Sequence, residues 1–234
     1  MKVSLKIAVI SDIHSNLHAF ETVTEDLTAI DAVLCLGDIV GYGPQPNEVL
    51  ERLRQLRPVV ILLGNHDYAV STGDSEGFSS DAAAADKWTR KELTSENLQF
   101  LSTLRPSSAL TLSGIPTCLF HGSPRDPLGE YIYPGIQNSQ AEALIVRSGG
   151  KLLLLGHTHM PMVYSLSKGT LVNPGSVGQP RDGDPRASYA IITISDDKIL
   201  VQINRVKYDI DSVAEKILAA GLPRFLADRL YVGE

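Results

Sequence analysis

The chain has no long hydrophobic run. None of its apolar stretches approaches the roughly 20 residues that a membrane helix needs, so no membrane span is expected. Met1–Ser11 lacks the long apolar core and small-residue cleavage site of a secretory signal. Cysteine is scarce: Cys35 and Cys118 lie inside apolar runs, with no C-x-x-C spacing. Both are read as buried, reduced core thiols, and the expected compartment is the cytoplasm. An excess of positive charge is also missing. A net charge of −6 argues against a general nucleic-acid scaffold, and no stable nucleic-acid partner is expected. A small nucleotide substrate remains open, because a metal site supplies its own local positive field. No repeat, low-complexity tract or linker interrupts the sequence, so residues 1–234 are read as one domain.

What is present is an alternation of short apolar runs and amphipathic segments. Leu5–Ser11, Ala32–Leu36 and Val59–Leu63 are β-branched or leucine-rich runs, the pattern of strands buried on both faces. Helical spacing over Leu17–Leu27 and Asn47–Leu56 separates them, which implies parallel βαβ units. Tyr68–Ser80 reads as a loop, and Asp81–Leu104 as one or two helices. Thr72–Ala85 is a candidate lid or contact between copies. Hairpins are then expected around Ser113-Gly114, Lys168-Gly169 and Asp196-Asp197. Leu152–Leu155 is a further buried strand, Ala141–Arg147 a helix, and Asp209–Ala220 a terminal helix stopped by Gly221 and Pro223. Two mixed β-sheets packed as a sandwich and flanked by helices, an α/β fold, reconcile the two halves.

Five of the six histidines fall in short clusters with Asp, Asn or Gly neighbours. The clusters are Asp12-Ile-His14, Gly37-Asp38, Gly64-Asn65-His66-Asp67, His121-Gly122 and Gly156-His157-Thr158-His159. Each follows an apolar run, so the side chains collect at strand ends, where open α/β sheets place their sites. Imidazole, carboxylate and amide oxygen together suit borderline divalent metals. If the chain stays extended after its strand, Asp12 and His14 point to the same side and could hold one metal together, and His157 and His159 again share a face. A carboxylate such as Asp38 can bridge two cations. Two metals joined by a carboxylate and a hydroxide make a hydrolytic site that clamps a phosphate. His66 need not be a ligand and could protonate a leaving alkoxide, with Asp67 orienting its ring. Each residue taken singly has a bland reading: a helix cap for Asp12, an Asx turn for Asp38, a left-handed turn residue for Asn65. His18 is left as a surface or packing residue.

In order, SDIH, LGDIVG, GNHD, FHGS and GHTH resemble the D-x-H, GD, GNH[DE], H, GHxH pattern of the calcineurin-like metallophosphoesterase family. The match spans Ser11 to His159. The resemblance implies a two-sheet sandwich, and a metal-dependent phosphoric ester hydrolase acting on phosphodiesters or phosphomonoesters. It implies Asp12, His14, Asp38 and His159 around one metal, and Asp38, Asn65, His121 and His157 around a second. His66 takes the catalytic, non-ligand place. Asn173–Ala190 looks like the tail of small prokaryotic phosphodiesterase-type members. The chain departs from protein phosphatases in GDIVGYG, which lacks the phosphate-binding Arg of GDxVDRG. Arg125, Arg181 and Arg186 are candidate replacements, and solvated loop charge is their bland alternative. Tyr42, Phe78, Tyr131 and Tyr133 could stack on a base or aryl group, or seal loops.

The expected cofactor is a pair of divalent ions. Mn²⁺ is the first expectation, and Fe, Zn²⁺, Ni²⁺ or Co²⁺ are compatible. The expected partner is a small phosphorylated substrate, with nucleotides included, and a homo-oligomer is compatible with the sequence. GDIVGYGPQP also resembles a loop of some dinucleoside polyphosphate hydrolases. A non-catalytic scaffold on the same fold is the alternative from another class.

Overall fold

A computed structural model describes residues 4–196 and 198–234. The parallel half runs β1 (Leu5–Ile10), α1 (Leu17–Asp26), β2 (Ala32–Cys35), α2 (Pro46–Leu56) and β3 (Val60–Ile61). Three helices follow: α3 (Asn65–Thr72), α4 (Ser80–Glu92) and α5 (Ser95–Thr103). The second half runs β4 (Ser107–Leu112), β5 (Ile115–Phe120), α6 (Asn138–Ser148), β6 (Leu152–Leu155), β7 (Met162–Leu166) and β8 (Gly169–Asn173). It ends with β9 (Ala187–Ser195), β10 (Lys198–Val206), α7 (Ile210–Ala219), α8 (Arg224–Asp228) and a 3₁₀ turn at Arg229–Tyr231.

The strands form two five-stranded mixed sheets, in the orders β10-β9-β1-β2-β3 and β4-β5-β6-β8-β7. Strand alternation explains how they pack. Ile7 and Val9 of β1 meet Leu119 of β5 and Leu152 and Leu154 of β6 in a core between the sheets. Ala8 and Ile10 face the other way, against Phe20 and Val23 of α1 and Leu50 and Leu53 of α2. The second sheet's outer face packs Leu153 and Leu155 on Leu144 and Ile145 of α6. Each fully buried Leu, Ile or Phe contributes about 1.5–3 kcal/mol, so a strand covered on both faces is apolar throughout.

Several local expectations change. Tyr68–Ser80 is not all loop, because α3 runs to Thr72. Asp67 Oδ2 accepts from Gly64 N at 2.9 Å at the start of this helix, and Gly73 ends it at φ 86°. Arg90 of α4 donates to the Val70 and Ser71 carbonyls at its end. The expected strand Val59–Leu63 shortens to two residues, with Leu62 bridging instead to Arg105. The Asp81–Leu104 segment is two helices, broken where Thr94 caps α5. α8 was not anticipated. At Ser113-Gly114 both residues have positive φ, as a two-residue type I′ hairpin needs. Asp196 also turns at positive φ. Asp197, the other half of that expected turn, lies outside the described residues. No helix among the described residues is long and apolar enough to cross a membrane.

Candidate metal centre

β1, β2 and β3 run parallel, as do β5 and β6. The segments leaving their C-terminal ends carry Asp12 and His14, Asp38, Asn65 and His66, His121, and His157 and His159. Two sheets thus present their strand ends to one point. The route is not the extended one expected for Asp12–His14 and His157–His159. Asp12, His14, Asp38, His157 and His159 all have φ between 49° and 70°, in the left-handed region. Such residues cost about 1–3 kcal/mol each and persist where surroundings dictate them. Here crossed main-chain bonds do so: Asp12 N to Gly37 O at 3.0 Å, His14 N to Asp38 O at 3.0 Å and Gly178 N to Asp12 O at 2.9 Å. Gly64 is required by close approach, since a Cβ there would overlap Asp38.

Asp12, His14, Asp38 and His159 form one group whose ligand atoms lie within 4.8 Å of one another. Asp38, His121 and His157 form a second, and Asp38 belongs to both. Asn65 Oδ1 lies 3.1 Å from His121 Nε2, beside the second group. The imidazoles are oriented from behind. His14 Nδ1 donates to Val40 O (3.1 Å), His121 Nδ1 to Leu36 O (2.8 Å) and His159 Nδ1 to Gln179 O (2.6 Å). His157 instead donates Nε2 to Gly129 O, at 3.3 Å, leaving Nδ1 for the cluster. A carbonyl only accepts, so each bond fixes which ring nitrogen carries the outward proton and turns the other toward the cluster, the arrangement typical of metal-ligating histidine.

The fit to cations is tested by what these atoms face. His14 Nε2 and His159 Nε2 stand 3.1 Å apart. Burial pushes both histidines well below the usual imidazole range, so both are neutral and two lone pairs oppose each other. His14 Nε2 is also 3.5 Å from Asp38 Oδ2, and His159 Nε2 is 3.4 Å from Asp12 Oδ1. Those two carboxylate oxygens are buried and accept no hydrogen bond. Burial pushes Asp12 up to about 7. Burial also works against the charge on Asp38, but His121 and the other imidazoles hold it well below the carboxylate range. His121 is raised to about 9, because Asp38 outweighs its burial. A divalent cation would replace that proton and satisfy the lone pairs together, so the donor set fits.

His66 stands outside both groups. It is buried and its Nδ1 meets Asp86 Oδ1 at 2.9 Å. Burial opposes its charge, but Asp86, Tyr42 and Asp38 raise it to about 10. Asp67 does not orient this ring, contrary to expectation. Its Oδ1 accepts from Ile39 N (2.9 Å) and Val40 N (3.0 Å), and its Oδ2 from Gly64 N, so it ties α3 to the loop after β2. Asp86 lies on the buried Ala82, Ala85 and Thr89 stripe of α4. Its sequence signal was a carboxylate at helical spacing within an alanine face.

The aromatics divide around the cluster. Tyr42 lies 4.7 Å from His14 and 4.3 Å from His66, and Phe78 lies 4.8 Å from His66. Across the cluster, Tyr131 stacks on His157 at 3.7 Å and Tyr133 stacks on Tyr131. Arg181 comes to Tyr42, with Nη2 donating to its hydroxyl at 3.3 Å. Arg125 and Arg186 are not brought in: Arg125 pairs with Glu130, and Arg186 with Asp184 at 2.6 Å. His18 stays outside, against Lys216, and Cys35 and Cys118 are buried free thiols.

A fold that delivers acids and imidazoles from the parallel-strand ends of two mixed sheets to one buried point defines a metal-binding α/β class. A family model described as the calcineurin-like phosphoesterase superfamily domain matches residues 5–197, and the chain belongs to that superfamily. It is 41% identical to the uncharacterized protein MJ0912 of Methanocaldococcus jannaschii, over 97% of this chain and 98% of that one. It is 27% identical to the phosphodiesterase YfcE of Escherichia coli, over 85% of this chain and 97% of that one. A metallophosphoesterase from Sphaerobacter thermophilus superposes with a TM-score of 0.84 at 37% identity, covering 99% of this chain and 100% of its own. The chain is accordingly a metal-dependent phosphoester hydrolase by family.

Proposed function

We propose that this chain is a two-metal phosphoesterase that hydrolyses phosphodiesters, with monoesters as weaker substrates. Asp12, His14, Asp38 and His159 would hold one cation, and Asp38, Asn65, His121 and His157 the other. Bound there, Mn²⁺ or a similar ion would activate water and neutralise phosphoryl charge. The observation that carries the reading is the membership of Asp38 in both ligand groups, with its Oδ2 buried and unbonded.

The protein's own part is to place a proton. His66 uses Nδ1 on Asp86, which leaves Nε2 for the substrate. The Asp86 carboxylate favours the protonated ring, so His66 hands a proton to the leaving oxygen and stabilises charge developing there. Tyr42 and Phe78 pack about that ring and limit water around it.

The test is hydrolysis of bis-p-nitrophenyl phosphate and p-nitrophenyl phosphate by metal-stripped protein with Mn²⁺ restored. Metal-dependent turnover of the diester supports the reading, and turnover of the monoester alone makes the protein a phosphatase. Failure on both with metal bound removes the simple diesterase and leaves the non-catalytic module or a narrower substrate. One such substrate, a dinucleoside polyphosphate, is favoured by the Tyr131–Tyr133 stack, with Tyr131 44% and Tyr133 53% exposed beside His157.

A further inference from the structure

The segment after α7 does more than close the fold. Leu226, Ala227 and Leu230 pack on Val213, Ala214 and Ile217 of α7 and on Ala85 of α4, with Tyr42 at the margin. This packing carries Arg229 to the Tyr42 ring, its Cζ 5.9 Å from the ring centroid. Arg181 reaches the same ring from the loop before β9, its Cζ at 5.6 Å. The two carriers are joined. Gly183 N donates to Gly233 O at 3.0 Å, and Gly233 sits at φ 68° with a Cβ position only 2.8 Å from Asp184 backbone atoms.

Two guanidinium groups therefore converge on one tyrosine. Among the described residues neither makes a salt bridge to a side-chain carboxylate, whereas Arg125, Arg186 and Arg205 each do. Arg181 uses Nε and Nη2 on Gln179 Oε1 and Nη2 on the Tyr42 hydroxyl. Arg229 uses Nε on the backbone carboxyl oxygen of Glu234, an acidic group that offsets part of its charge. The remaining N–H groups of both forks find no protein acceptor among the described hydrogen bonds. Burial and then the charge of Arg181 push Arg229 down to about 10, against the opposing pull of Tyr42, Glu234 and Asp81. Two like charges sharing one ring in a partly buried place repel each other, and an anion taken by their remaining N–H groups would relieve that repulsion. The same Tyr42 ring touches His14 and His66, so the pair stands one ring away from the candidate metal centre.

We propose that Arg181 and Arg229 form a second anion subsite across Tyr42, and that the substrate carries a further phosphate beyond the one cleaved: an organic pyrophosphate or polyphosphate. This rests on the phosphoesterase reading for its chemistry. The metal centre takes the phosphate that is cleaved, and the arginine forks hold its neighbour. Planar forks suit phosphate oxygens better than ammonium groups do. The C-terminal turn thus selects among phosphoesters that the metal ligands alone would treat alike.

The test is calorimetric titration of the metal-loaded chain with inorganic phosphate and with inorganic pyrophosphate. The native protein should bind pyrophosphate at least about tenfold more tightly than phosphate. Arg229→Gln and Arg181→Gln should each weaken pyrophosphate by about tenfold and phosphate by less than about threefold, with Arg229→Lys recovering part of the loss. Equal binding of the two anions by native protein overturns the proposal, as does an equal loss of both in the variants. If the Gln variants do not fold, the native chain still decides: the pyrophosphate preference must shrink with added salt, and a salt-independent preference counts against the arginines. A chain that keeps this binding pattern but hydrolyses no phosphoester refutes the proposed activity and leaves the subsite standing. A chain that hydrolyses diesters without any pyrophosphate preference does the reverse.

Discussion

The two ends of the sandwich use the same unusual backbone conformation for different purposes. Near the distal turns, Ser113 has positive φ because a two-residue hairpin requires it, and Asp196 has positive φ where β9 ends. At the parallel-strand ends, Asp12, His14, Asp38, His157 and His159 have it although no hairpin does. A turn residue at the first end can be exchanged for any other that tolerates that conformation. At the second end the conformation aims particular side chains at a shared point. The backbone is held there by bonds between loops, such as Asp12 N to Gly37 O and Val177 N to Ser11 O at 3.0 Å. Strain alone therefore does not mark a site. Strain on buried metal-ligand types, imposed from neighbouring loops, does.

The comparison breaks most severely at Asp38. Under the proposed two-metal reading, Asp38→Ala should strip both metals and cut metal-dependent hydrolysis by about a thousandfold or more, because one carboxylate belongs to both ligand groups. Metal content by mass spectrometry, beside turnover, checks it. Next comes Asp67→Ala, which orphans the buried Ile39, Val40 and Gly64 N–H groups at once. A loss of about 3–5 kcal/mol in urea unfolding is expected. A loss under about 1 kcal/mol would mean that the loops keep their shape without it.

Asp86→Asn comes third. It should retain metal and fold while lowering kcat by about ten- to a hundredfold, since His66 loses the carboxylate that favours its proton. An unchanged kcat would remove Asp86 from the scheme. At the distal end, Ser113→Asn should alter stability by less than about 0.5 kcal/mol, because Asn accepts the turn conformation. The smallest effect belongs to Arg186→Gln. Asp184, held at about 2 by Arg186, adds stability above its ordinary pKa of 3.8 and loses it as pH falls through about 2. The pair is exposed, so its contribution is screened. A slight lowering of the urea midpoint at pH 7 should vanish below pH 2, with KM unchanged.

Much of the architecture was legible because strands buried on both faces leave unmistakable apolar runs. β1, β2 and β6 announce themselves in LKIAVI, AVLC and LLLL. β3 misled, since VVILL has the composition of a long strand but pairs over only two residues. The motifs placed Asp12, His14, Asp38, His121, His157 and His159 correctly at strand ends. They misassigned the partner of His66, because Asp67 is adjacent in sequence while Asp86 is adjacent in space. Arg125 and Arg186 were indistinguishable from Arg181 by loop position, and the structure separates them by the acids they pair with, Glu130 and Asp184.

The sequence by itself determined which side chains would gather, because apolar runs set the strands and the residues that follow a parallel strand must emerge at its carboxyl end. Only the tertiary structure decided how they meet. Left-handed turns, carbonyls behind each imidazole, the Asp86–His66 contact and the approach of Arg229 to Tyr42 all join residues far apart in the chain. Local propensity cannot encode such contacts, since their geometry comes from the packing of two sheets and a terminal turn around one point.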